Sequence, residues 1–182
     1  MAIISRRNRF LFLPQPRTAS KSVTAVLERD YDASQIGGYH KIPQSNSEKW
    51  GDLSDFWTFT IVRNPETRLR SVWNRGPWEQ PFLQWLQWLD GMPVAGWRTA
   101  DKRLSVALPL ANRLHPFQRP LDQVIYYEDL QSGLSALPFA KENFPPPPQR
   151  PWQTSHPDLT EEERKIIHRV ARLDFEVFYA NV

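Results

Sequence analysis

The sequence predicts an α/β fold, a single domain over residues 1–182 built on a mostly parallel β-sheet flanked by helices. Three observations lead there. Short apolar runs suited to buried strands alternate with segments of helical periodicity. Two of those runs pass directly into polar turns and helix starts, as parallel strands do. At 182 residues, with 40% hydrophobic and 24% charged residues, the chain has ordinary globular usage and the length for one sizeable core.

The first strand is expected over residues 9–13, where aromatics and Leu run without a polar interruption. A helix over 20–29 follows, with Val23, Val26 and Leu27 as its apolar stripe. Residues 31–51 are polar and rich in Gly, Ser and Asn, which predicts a long loop with room for a short strand. Aromatic and β-branched residues over 56–62 predict the second strand. Asn64-Pro65 then opens a helix, since Asn caps well and Pro suits the first helical position. Residues 78–90 carry Phe82, Trp85, Leu86 and Leu89 on one helical face, with Trp88 off it. Val124-Ile-Tyr-Tyr127 is the third strand, followed by a helix from Glu128, and Phe144-Pro-Pro-Pro-Pro148 is an extended spacer. Thr160-Glu-Glu-Glu163 starts the last helix, whose stripe runs through Ile166, Ile167, Val170 and Leu173.

The charge balance narrows the partners. Twenty-three Lys and Arg against 20 Asp and Glu leave a net charge of only +3, interleaved along the chain. That suits anionic small ligands and argues against a nucleic-acid-binding module, which needs a clustered basic face. The absence of cysteine removes disulfides, thiolate chemistry and cysteine-ligated zinc. After Arg6, Arg7 and Arg9 the apolar run is too short for a secretory signal. No segment has the ~20 apolar residues of a membrane span, so a cytoplasmic chain is expected.

Chemistry concentrates in the two turns. A strand that feeds a tight turn and a helix aims free helix N–H groups at one spot, an anion site reinforced by nearby cations. The turn after the first strand reads Gln15-Pro-Arg17-Thr-Ala-Ser20-Lys21-Ser22. It has the frame of a Walker-type phosphate loop without either glycine, and offers Thr18, Ser20 and Ser22 as hydroxyl donors. The turn after the second strand has Arg63, able to grip a phosphate with two N–H groups, and Ser71 eight residues on. Two such sites on neighbouring strands suit a ligand with two separated phosphate-like groups.

Together these segments resemble the sulfotransferases that use 3′-phosphoadenosine 5′-phosphosulfate (PAPS). Pro16-Arg17-Thr-Ala-Ser-Lys-Ser22 resembles that family's 5′-phosphosulfate loop, and Phe59-Thr-Ile-Val-Arg-Asn-Pro65 with Ser71 resembles its 3′-phosphate segment. Tyr127-Glu-Asp-Leu130 is similar to its third strand end. Leu173-Asp-Phe175 through Phe178-Tyr179 is similar to its C-terminal helix ending. The four motifs occur in the family's order from Phe10 to Tyr179, closer to the carbohydrate-type branch than to the phenol-type branch.

The resemblance implies a P-loop nucleotide-kinase-like sulfotransferase fold that moves a sulfuryl group from PAPS to a hydroxyl or amine acceptor without a metal. It implies a donor site of Arg17, Thr18, Ala19, Ser20, Lys21, Ser22, Val23, Arg63 and Ser71. Arg17 stands where the family has Lys, which assigns it to charge stabilisation and not to proton transfer, because a guanidinium stays protonated. Lys21 leaves two roles open, a second cation at the bridging oxygen or a side chain in solvent. His40 matches the place of the carbohydrate-type branch's catalytic base, and a His near its ordinary pKa can take a hydroxyl proton. His115, Trp78 and Trp97 are acceptor-cleft candidates, while His156 and His168 are expected at the surface. The acceptor class, a small molecule or a carbohydrate, and the oligomeric state stay open. Two alternatives stand beside this reading. One is a phosphate-loop kinase, which wants loop glycines and a magnesium-holding Asp. The other is a PAPS-binding relic weakened by the Arg at position 17.

Overall fold

The computed structural model describes residues 1–37, 52–97, 104, 106–114, 120–141, 144 and 158–180. In chain order its elements are β1 (Ala2–Ser5), β2 (Phe10–Leu13), α1 (Ser20–Asp30), β3 (Ser34–Ile36), β4 (Trp57–Val62), α2 (Pro65–Arg75), α3 (Phe82–Asp90), α4 (Leu110–Leu114), β5 (Gln123–Tyr126), α5 (Leu130–Ser135), α6 (Glu161–Val170) and α7 (Arg172–Phe178). The α/β class expected from the sequence is present. The chain, read from sequence as one domain over 1–182, falls into two compact units. The first is Met1–Arg63 with Leu114–Arg150, and the second is Asn64–Arg113 with Pro151–Val182. No helix among the described residues is long and apolar enough to cross a membrane.

The first unit is a five-stranded sheet in the order β3-β1-β2-β4-β5. Its strands are not mostly parallel: β2 pairs β4 and β4 pairs β5 in parallel, but β1 pairs both β2 and β3 antiparallel. The expectation failed at the N-terminus. Ala2-Ile-Ile-Ser5 is an apolar run too short to stand out, yet it folds back on β2 through the Arg6–Arg9 turn, in which Arg9 takes a left-handed φ of 51°. A hairpin needs only such a turn, so it adds an antiparallel edge to a parallel core.

Side chains alternate across the sheet with period 2. On one face Ile3, Phe10, Phe12, Phe59, Ile61 and Ile125 pack with Val23, Val26 and Leu27 of α1 and with Leu134 of α5. On the other face Ala2, Ile4, Leu11 and Leu13 meet Ile36, Leu53 and Phe56. Phe12 stacks on Phe59 at 4.9 Å between ring centroids, and Phe10 on Phe139 at 4.2 Å. Helix α5 lies so close to β5 that a Cβ on Gly133 would come within 2.5 Å of the Ile125 Cγ2. Gly133→Ala is therefore expected to destabilise the first unit by about 1–2 kcal/mol in urea unfolding, because overpacking outweighs the better helix propensity of Ala.

The second unit is helical. Asn64 caps α2, its side chain accepting from the Glu66 N–H at 2.9 Å, and Pro65 is the first helical residue. Helix α3 starts later than expected, at Phe82 after Pro81, but buries the expected stripe of Phe82, Trp85, Leu86 and Leu89 and leaves Trp88 exposed. Thr160 and Glu163 form a capping box at the start of α6. That helix ends at Val170, and the chain turns at Ala171 into α7, so Leu173 leaves the stripe and is 40% exposed. Leu69, Val72, Ile166, Ile167 and Val170 close the core around the aromatic residues of α3.

Candidate anion-binding site

Because β2, β4 and β5 are parallel, their following loops leave from one edge of the sheet. The register pairs Leu13 with Thr60 and Val62 with Tyr126, so the loop after β2, Arg63 after β4 and Tyr127 after β5 emerge side by side. In sheets of this kind the carboxyl ends of parallel strands are where ligands bind.

The β2 turn is built on the Gln15 carbonyl. Thr18 Oγ1 donates to it at 3.0 Å and Ser20 Oγ at 2.6 Å, while the Gln15 side chain donates to the Leu13 carbonyl at 3.3 Å. Thr60 Oγ1 on β4 donates to the same Leu13 oxygen at 2.7 Å, satisfying the last carbonyl of β2. The hydroxyl hydrogens of Thr18 and Ser20, expected to face a ligand, thus brace the loop. Gln15 and Thr18 are fully buried.

Two residues of the turn are left-handed although neither is glycine. Arg17 and Ala19 take left-handed φ values of 67° and 57°. Such a conformation costs roughly 1–2 kcal/mol at a non-glycine residue, and strain of this kind concentrates at functional sites. Successive backbone N–H groups in a turn can form a concave anion nest. Ala19 is the N-cap of α1 and has no side chain to cap it. Lys21 is exposed, Ser22 is half-buried, and Val23 is a buried core residue whose backbone N–H donates to the Ala19 carbonyl at 3.1 Å.

Arg63 joins this loop. Its Nη1 donates to the Arg17 carbonyl at 3.4 Å, and its guanidinium carbon lies 4.4 Å from the centroid of the Tyr127 ring. The Arg63 guanidinium and the backbone of Arg17, 46 residues apart, therefore meet at the sheet edge.

Ser71 belongs to the second unit, on α2. It is 4% exposed, and its hydroxyl has no hydrogen-bond partner among the described residues. Trp78 packs against Trp85 and Trp88 with ring centroids 5.8 and 6.4 Å away, over Gly76, where a Cβ would strike the indole. Trp97 is 1% exposed in the core, donating its indole N–H to the Met92 carbonyl at 3.3 Å, and offers a substrate no surface. His168 is exposed and stacks on Phe175. His40, His115 and His156 lie outside the described residues. Two surface depressions of the second unit, about 360 and 380 Å³, include none of the expected site residues.

Two contributors were not singled out from sequence. Gln15 acts through its backbone carbonyl, which leaves no mark in side-chain chemistry. Tyr127 was noted only within a motif, although its place one residue past β5 matches that of Arg63 past β4. No protein-family model matches the chain, and neither a curated protein nor a solved structure matches it.

Proposed function

We propose that the chain is a sulfotransferase that takes its sulfuryl group from PAPS and passes it to a hydroxyl or amine acceptor. The observation that carries this is the contact between the two anion-seeking turns, with Arg63 donating to the carbonyl of Arg17 at the edge where β2 and β4 end. An unglycinated nest beside a bidentate cation suits a nucleotide with phosphate-like groups at both its 5′ and 3′ positions better than it suits ATP.

In this function the α1 N-terminus and the backbone N–H groups of the loop before Ser22 hold the 5′-phosphosulfate. Sulfuryl transfer in line passes through a loose transition state, so positioning and charge neutralisation carry most of the catalysis, by analogy with phosphoryl transfer. Arg17 neutralises charge on the leaving oxygen, with Lys21 as the candidate second cation. Arg63 holds the 3′-phosphate, a part that the resemblance also gives to Ser71. His40 is the candidate base that takes the acceptor's proton, and a cytoplasmic setting is proposed with it.

Calorimetric titration with adenosine 3′,5′-bisphosphate, ATP and AMP tests the donor site. Binding of the bisphosphate at least about tenfold tighter than either single-site nucleotide, a difference of ~1.4 kcal/mol, is the expected result. Equal binding of ATP, or no binding of the bisphosphate, refutes the proposal.

Ser71 gives a second check with opposite signs in two measurements. A buried hydroxyl without a partner costs roughly 1–3 kcal/mol, a cost that a 3′-phosphate oxygen would remove. Ser71→Ala is therefore expected to raise the stability of the free protein by about 1 kcal/mol in thermal unfolding. The same variant should bind the bisphosphate more weakly. A variant that is both more stable and equally good at binding removes Ser71 from the site.

A further inference from the structure

We propose that Tyr127 is a positioning residue that aims Arg63, and through Arg63 sets the preference for a nucleotide bearing a 3′-phosphate; this rests on the donor site proposed above. Three observations carry it. The β4–β5 register pairs Val62 with Tyr126, so residues 63 and 127 leave adjacent parallel strands at the same level. The guanidinium of Arg63 lies over the Tyr127 ring at 4.4 Å. Its Nη1 is tied on another side to the Arg17 carbonyl at 3.4 Å.

An arginine side chain has many rotamers, and a guanidinium that must grip a phosphate with two N–H groups works only if its plane is held. The tyrosine ring is itself fixed, packed against the apolar cluster formed by the sheet with α1 and α5. A cation over an aromatic face is held by the ring's negative π-surface and keeps its N–H edge available for other partners. Tyr127 thus supplies a floor for Arg63, while the Arg17 carbonyl sets its direction. The hydroxyl of Tyr127 has no part in this role, which separates it from a residue that touches the nucleotide.

The test compares the ratio of bisphosphate to AMP affinity in Tyr127→Phe, Tyr127→Leu and Tyr127→Met with that of the unaltered protein, by calorimetry, with a melting curve for each. AMP lacks the 3′-phosphate and controls for damage to the rest of the site. Tyr127→Phe is expected to keep the preference, whereas Leu and Met lower it by about tenfold. Two ring-less variants are used so that misfolding of one leaves the other to decide. A preference unchanged in a folded Leu or Met variant overturns the proposal and leaves the donor site standing. A loss in Tyr127→Phe as large as in Leu overturns it in favour of direct contact by the hydroxyl. An unaltered protein with no preference for the bisphosphate refutes the donor site and this role together.

Discussion

Arg68→Met is expected to destabilise the second unit by about 3–5 kcal/mol, the range for breaking a buried ion pair by removing one partner. Arg68 is fully buried on α2, and its guanidinium donates to the carbonyls of Val106, Ala107 and Leu108 at 3.1, 3.2 and 3.1 Å. It also pairs with the Asp174 carboxylate on α7 at 3.4 Å. Methionine fills similar space but leaves three carbonyls without their donor and a carboxylate buried at 1% exposure without its counter-charge. Asp174 has its own second duty, accepting from the Ala111 N–H at 2.9 Å at the start of α4. The double variant Arg68→Met/Asp174→Asn should therefore recover part of the loss, since Asn keeps that acceptor and carries no charge. Urea unfolding measures both. A loss below about 1 kcal/mol in Arg68→Met, the range of an exposed pair, would show that the pair is open to water.

Arg63→Ala should weaken adenosine 3′,5′-bisphosphate binding by about 10–100-fold, corresponding to the ~1.5–3 kcal/mol of a charge-assisted hydrogen-bonded contact. AMP should lose far less, since it lacks the phosphate that Arg63 is proposed to hold. Lys at this position keeps the charge but not the fork or the stacking on Tyr127, so Arg63→Lys is expected to fall between the two. Calorimetry with both nucleotides reads the difference. Equal losses for AMP and the bisphosphate would mean that Arg63 serves the loop, through the Arg17 carbonyl, and not the 3′-phosphate.

Sequence alone determined the elements whose signals are local. The run that became β2 was legible because a strand buried on both faces excludes polar residues, and those of β4 and β5 because aromatic and β-branched residues cluster there. The starts of α2 and α6 were legible because Asn64, Pro65 and the Thr160–Glu163 pair satisfy orphan N–H groups by chemistry that needs no partner beyond one turn. The same locality marked Arg17 and Arg63 as candidates, each a cation one short step past a strand.

Tertiary structure decided the rest, because the deciding interactions join residues far apart in the chain. The antiparallel edge at β1 depends on which strand takes up the β2 edge, a choice that four residues of apolar sequence do not encode. The left-handed Arg17 and Ala19 lie in a turn where hydroxyls from Thr18 and Ser20 converge on one carbonyl. Arg63 meets Arg17 because β2 and β4 are parallel neighbours, and it stacks on Tyr127 because β4 and β5 share a register. Trp97 and Trp78 look alike as sequence, yet core packing buried one and left the other against the exposed Trp88. A residue's type sets the chemistry it can offer, and only the pairing of distant strands sets which other residue it faces.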